Sequence, residues 1–169
     1  MPAGPWDKGD QNMNNALIDD TLRVSYPEGF HVMDEQEMQE AYKNDNPCRW
    51  CIRDKERGMM LSVFWFKSFA LLVRIADAKA AVRKIASSME KALGGMNYER
   101  GDLYARDICG QKAWGFSYEY TLNDVDQHCE VIMLKHKSST YTVYYYSDKD
   151  KDKENRIVFE EFLGTLAFE

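Results

Sequence analysis

Hydrophobic and polar positions repeat along this chain with two periods, and the switches between them mark out its elements. "LRVSYPEGFHVM" opens with Leu22, Val24 and Tyr26 separated by Arg23 and Ser25, a period of two that predicts a short strand. Pro27-Glu28-Gly29 is a turn signal, after which Phe30 and Val32 resume the alternation. "MDEQEMQEAYKN" changes period. Asp34 with Glu37 spells a capping box, and Met33 with Met38 fits a hydrophobic staple. Met38, Ala41 and Tyr42 make a narrow stripe, so a short and mostly exposed helix is expected.

"GMMLSVFWFK" is apolar on both parities: Leu61, Val63 and Trp65 point one way, Met60, Phe64 and Phe66 the other. Such a strand is central and covered on both faces, and Trp65→Ala there is expected to cost about 3–5 kcal/mol. "DAKAAVRKIASSMEKALGG" reads as a long helix with Asp77 as N-cap, Val82, Ile85, Met89 and Leu93 on one face, and Gly94 as a left-handed C-cap. From Asp102 to Ser147 the period is two throughout. Trp114, Phe116, Tyr118, Tyr120 and Leu122 share a face, and turns are expected at 109–111, 123–126 and 137–139. "KDKENRIVFEEFLG" closes the chain as an amphipathic helix, with Gly164 able to cap it. Strand runs adjoin one another instead of alternating with helices. The class is therefore α+β, an antiparallel β-sheet sandwiched between helices in an α-β-α arrangement.

Residues 1–20 are polar and read as a flexible N-terminal tail, followed by a single domain over 21–169. At 169 residues the chain can build a core without disulfide or metal. A formal net charge of −6 without a basic cluster argues against nucleic-acid binding. No apolar run approaches the ~20 residues of a membrane span. The start lacks the basic and apolar regions of a signal peptide, and four cysteines are too few for a disulfide scaffold, so a cytoplasmic location is expected, with a mature secreted chain as the alternative.

The sharpest candidate for chemistry is the C-x-x-C of "NPCRWCIRDKERG", Cys48 and Cys51. Cys48, Trp50 and Ile52 alternate with Arg49, Cys51 and Arg53, which reads as a strand turning at 55–58 into the central strand. Strand residues three apart lie on opposite faces, ~10 Å apart, beyond the ~7 Å a disulfide allows. A helix with Asn46 as N-cap and Pro47 at its first position would instead place both thiols on one face near a positive helix end, as in a redox dithiol. Cys109 and Cys129 lack paired spacing, against a four-cysteine zinc site. His31, His128 and His136 share no motif, and the adjacent carboxylates Asp19-Asp20 and Glu160-Glu161 do not by adjacency converge on a cleft. No phosphate loop, nucleophile elbow, zincin or dinucleotide-binding fingerprint occurs. Tyrosines lie on both faces of the meander, and Tyr144 and Tyr146 are candidates for a binding surface.

"VSYPEGFHVMDEQEMQEAY" resembles the opening strand, turn and helix of PsbP-like domains, and "SDKDKDKENRIVFEEFLGTLAF" resembles their closing loop, helix and terminal stretch. That family includes the photosystem II extrinsic protein, Ran-binding Mog proteins and bacterial members of unknown function. The resemblance implies an antiparallel sheet between helix layers and a protein-binding role. It carries over no catalytic or binding residue. Together these readings describe a non-catalytic accessory module that binds another protein and needs no cofactor. The alternatives are a thiol-disulfide protein using Cys48 and Cys51 and a carrier of a small apolar ligand.

Overall fold

One long antiparallel sheet organises the molecule, whose computed structural model describes residues 12–68 and 78–169. The strand that is apolar on both parities, β5 (Met59–Lys67), lies inside it, between β4 (Arg49–Asp54) and β10 (Ser139–Asp148). Beyond β10 come β9 (Val125–His136) and β8 (Gln111–Leu122). Short strands close the two sides: β3 (His31–Val32) beside β4, and β6 (Glu99–Arg100) and β7 (Tyr104–Ile108) both beside β8. The meander is joined by two-residue loops, tighter than the sequence suggests: Cys109-Gly110, Asn123-Asp124 and Lys137-Ser138. Both residues of the first loop (φ 42° and 78°) and of the second (φ 50° and 64°) are left-handed. That geometry matches the twist of the strands it joins.

Each face of the sheet has its own cover. On one, Leu61, Val63, Tyr141, Val143 and Tyr145 pack with Val158, Phe159, Phe162 and Leu163 of α3 (Asp152–Thr165). Tyr145 stacks on Phe159 with centroids 4.6 Å apart, and Trp50 lies parallel to Phe162 at 6.5 Å. A three-stranded sheet completes this layer, with β2 (Leu22–Pro27) between β1 (Met13–Ile18) and β11 (Ala167–Phe168). On the other face, Val82 and Ala86 of α2 (Ala78–Leu93) are buried over Phe116, Val131 and Met133. Near the β4 side of that face lies α1 (Glu35–Tyr42), whose capping box is formed in both directions, Glu37 N–H to Asp34 at 2.9 Å and Asp34 N–H to Glu37 at 2.9 Å. The result is the expected α+β sandwich, with an open antiparallel sheet between helices.

Several local expectations change. The polar stretch from Met13 is strand: it pairs with β2 from Met13↔Pro27 to Ile18↔Leu22, because β2 otherwise presents a bare row of backbone donors and acceptors. Ile18 enters the core at 2% exposure, whereas residues 1–11 lie outside the described residues. Asp77, the expected N-cap of α2, also lies outside them. Gly94 is not the left-handed residue at the end of α2; that conformation falls on Asn97 (φ 56°), after Met96 N–H has closed on the Leu93 carbonyl at 2.8 Å. Gly164 lies within α3, which runs to Thr165 and is followed by Leu166 as its C-cap. Trp65 is only half-buried, near the end of β5, so the full cost of a core truncation belongs instead to Leu61 and Val63, both at 0% exposure.

Candidate functional site

Antiparallel register arranges side chains in rows across the sheet. On the face carrying α1 and α2, one row runs Arg53, Met60, Tyr146, Cys129, Tyr118 and Arg100 from β4 to β6. The next row inward runs Cys51, Ser62, Tyr144, Val131 and Phe116, and the next outward pairs Asp148, Gln127 and Tyr120. α2 lies over the inner row. α1 reaches it through Tyr42, which meets Phe64 edge-on at 5.0 Å and whose hydroxyl contacts the Ser62 hydroxyl. Between the C-terminal ends of the two helices the first row forms the floor of a groove of about 710 Å³. Ala41 and Tyr42 wall it on one side, and Met89, Ala92 and Leu93 on the other.

The outer end of the groove is closed by the β4–β5 turn. Gly58 there is left-handed (φ 59°), its backbone carbonyl accepts from Asp148 N–H at 3.0 Å, and the Asp148 carboxylate lies over the position a Cβ would take. Asp148 also accepts from the Gln127 side-chain amide at 3.1 Å. Arg53 at this end donates to Glu37 at 3.1 Å, and Asp54 is paired with Arg57 at 3.3 Å. The groove is therefore apolar along its floor and walls, and charged only at its end.

The buried phenols and thiols of this face are held protonated. Burial raises the phenols of Tyr42, Tyr118 and Tyr146 well above the usual tyrosine value, and pushes Tyr120 and Tyr144 up to about 12. Burial likewise pushes the Cys129 thiol up to about 12 and raises that of Cys51, outweighing the lowering effects of Ser62 and Tyr42. At neutral pH these groups are in their protonated forms, which pack and hydrogen-bond.

The sequence candidates fall into place as follows. Residues 49–54 are strand, so the helical alternative around the C-x-x-C does not form. Cys51 faces Ser62 and Tyr42 and is fully buried, while Cys48 lies just before β4 and is half-buried. Both stand as free thiols, as do Cys109 and Cys129. Tyr144 and Tyr146 lie side by side with near-parallel rings 6.1 Å apart, both half-buried. Tyr146 lines the groove, and Tyr144 sits one row inward, edge-on to Phe64 at 5.5 Å. The histidines stay apart: His31 pairs with Glu37 at 2.8 Å, His128 with Glu119 at 2.9 Å, and His136 stacks on Phe168 at 3.9 Å. Asp19 and Asp20 occupy left-handed turn positions, and Glu160 holds Arg106 at 2.7 Å. Among the described residues, no group of three or more His, Cys, Asp or Glu side chains is arranged to hold a metal ion.

Sequence reasoning missed Tyr42, Met60, Met89 and Asp148 as groove residues. Parity along each strand gives the face a side chain takes, and that much was readable for Met60, Tyr118 and Tyr146. It does not give the row, which depends on register between strands far apart in sequence.

No family model matches the chain, and no curated protein matches it. Solved structures do. The solution structure of cyanobacterial PsbP from Synechocystis sp. PCC 6803 superposes with a TM-score of 0.70 at 18% identity, over 96% of this chain and 95% of that one. A Bacteroides thetaiotaomicron VPI-5482 protein gives a TM-score of 0.62 at 11% identity over 95% of this chain, which spans about half of it (49%). The protein of unknown function PA94 from Pseudomonas aeruginosa gives 0.54 at 10% identity, over 92% of this chain and 96% of that one. Identities this low speak to fold alone, and on that level the sandwich described above is a PsbP-like fold.

Proposed function

We propose that this protein is a non-catalytic accessory module that binds another protein, and that the groove between the ends of α1 and α2 is where it does so. The observation that carries the reading is the character of that groove. It is open, about 710 Å³, floored by Met60, Tyr118 and Tyr146, and bordered by Met89 and Leu93. Methionine adapts to varied partners, and tyrosine offers broad contact area at little conformational cost. Burial raises the phenols around it and the thiols of Cys51 and Cys129, which speaks against a nucleophilic or redox centre that uses either thiol. The PsbP-like fold and a fold neighbour of unknown function are compatible with an accessory role. Four free thiols suit a reducing, cytoplasmic location, and among the described residues no helix is long and apolar enough to cross a membrane.

A small apolar ligand is the second reading, since the groove volume falls within the range of roughly 300–1,000 Å³ typical of ligand sites. Site-directed photocross-linking separates the two. A cross-linker at Ala92 in the groove wall should yield a protein adduct of defined mass, and one at Glu154 on the opposite layer should not. Equal adducts at both positions overturn the assignment of the groove. A copurifying small molecule, displaced by Met60→Trp, favours the carrier reading.

A further inference from the structure

The groove is apolar along its length, yet its electrostatics are one-sided. Four tyrosines, Tyr42, Tyr118, Tyr120 and Tyr146, line it, and aromatic faces attract cations. Its two walls are the last turns of α1 and α2, the helix ends that carry partial negative charge. At its outer end stands Asp148, whose only side-chain partner among the described residues is the neutral amide of Gln127. The other charges lining that end are matched: Arg53 by Glu37, and Asp54 by Arg57. Lys55 is the exception. It is exposed on the β4–β5 turn, and Lys43 and Lys91 beside the helix ends do not line the groove. The chain as a whole carries a net charge of −6.

We propose that the groove receives a basic side chain, lysine or arginine, from the partner protein. This rests on the reading of the groove as a protein-binding site. The alkyl stem lies over Met60 and Met89, as long cationic side chains lie along apolar surface, and the charged head reaches Asp148 past the rings of Tyr118 and Tyr120. A neutral apolar side chain of the same length would fill the space but leave Asp148 without a counter-charge.

The test titrates the full chain with Ac-Ala-Leu-Lys-Leu-Ala-NH2 and with its norleucine counterpart, following backbone amides by two-dimensional NMR. The lysine peptide should give saturable shifts at Gly58, Tyr120 and Tyr146, with the norleucine peptide roughly tenfold weaker or more. Asp148→Asn, with circular dichroism and thermal midpoint as fold controls, should abolish the difference between the two peptides. Lys55→Ala should leave lysine-peptide binding unchanged or tighter. Equal affinity for both peptides overturns the proposal and assigns the groove an apolar occupant, leaving the binding-module reading intact. No saturable shift with either peptide at millimolar concentration overturns it as well. The cross-link at Ala92 then reports separately on whether a protein docks there.

Discussion

The guanidinium of Arg49 is fully buried and donates to the half-exposed carboxylate of Glu35 at 2.7 Å, tying the first turn of α1 to β4. Its other terminal nitrogen donates to Asn44 at 2.7 Å, just past the end of the same helix, while Nε has no hydrogen-bond partner among the described residues. One cation thus holds both ends of the helix that walls the groove. α1 buries no residue of its own fully, so its docking rests on this clamp, the Tyr42 contacts and the pairs Glu37 makes with Arg53 and His31. Removing the anion alone strands a buried charge, whereas replacing the cation by an apolar side chain of similar length does not. Glu35→Ala should lower unfolding free energy by about 1–3 kcal/mol in urea titrations, and Arg49→Met should cost less. The reverse order would show that the guanidinium contributes mainly through its own packing.

The turn that closes the groove leaves no room for a side chain at its glycine. Gly58 is left-handed, and Asp148 occupies the space a Cβ would need. An alanine at 58 meets both a strained backbone, at about 1–2 kcal/mol, and a displaced carboxylate. Gly58→Ala should therefore be clearly destabilising, while the neighbouring exposed Lys55→Ala stays within about 0.5 kcal/mol of the parent. Chemical denaturation of the two variants side by side checks this.

How much of this was readable beforehand follows from which forces are local. The capping box of α1 is written in Asp34 and Glu37 and forms as expected, because both bonds close within one turn. The doubly apolar pattern of Met59–Lys67 placed β5 inside the sheet, since burial on both faces leaves its mark on consecutive residues. β1 escaped notice because MNNALI carries little apolar pattern, and its pairing is dictated by the backbone needs of β2. β11 is two residues long and forms only because α3 delivers it to β2. The groove was half legible. Tyr146 and Tyr118 could be assigned to one face, but that they share a row with Met60 and lie between two helix ends is a product of register and tertiary packing. Trp65 looked central by pattern, yet lies near the end of its strand. Leu61→Ala should consequently cost about 2–5 kcal/mol and exceed Trp65→Ala in the same denaturant titration.

His136 supplies a pH dependence with a definite sign. Its ring lies parallel to Phe168 at 3.9 Å, Nε2 is buried without a hydrogen-bond partner among the described residues, and burial lowers its pKa below the ordinary histidine value, with Lys137 acting in the same direction. The unfolded chain therefore takes up a proton at a higher pH than the folded one. The contribution is fully present above about pH 6.5. It is lost as pH falls from there through the folded-state value. The depressed carboxylates Glu119 and Glu160, held by Lys149 and Arg106, act in a separate and more acidic window: their contribution is present above about pH 4.3 and lost below it. Stability measured from pH 7 to 5 should fall in the parent and flatten in His136→Phe, with the acid limb below that unchanged. A parallel decline in both proteins would remove His136 as the cause.

The four thiols should sort by burial and surroundings, not by sequence spacing. Cys51 and Cys129 are at 0% exposure, and burial drives both thiols up, Cys129 to about 12. Cys109 is exposed in the left-handed β7–β8 turn, where its access outweighs the raising effect of partial burial on its thiol, and Cys48 is half-buried just ahead of β4. Alkylation proceeds through the thiolate, so it requires both access and ionisation. At pH 8 iodoacetamide should label Cys109 first and Cys48 next. Cys51 and Cys129 should react only on the timescale of unfolding, accelerating in urea in parallel with the loss of structure. Peptide mapping by mass spectrometry at successive times gives the order. Cys51→Ser should leave partner cross-linking from Ala92 unchanged, because the hydroxyl keeps the contact to Ser62 and Tyr42. Rapid native labelling of Cys51, or loss of the cross-link in that variant, would return the C-x-x-C to consideration as a working dithiol.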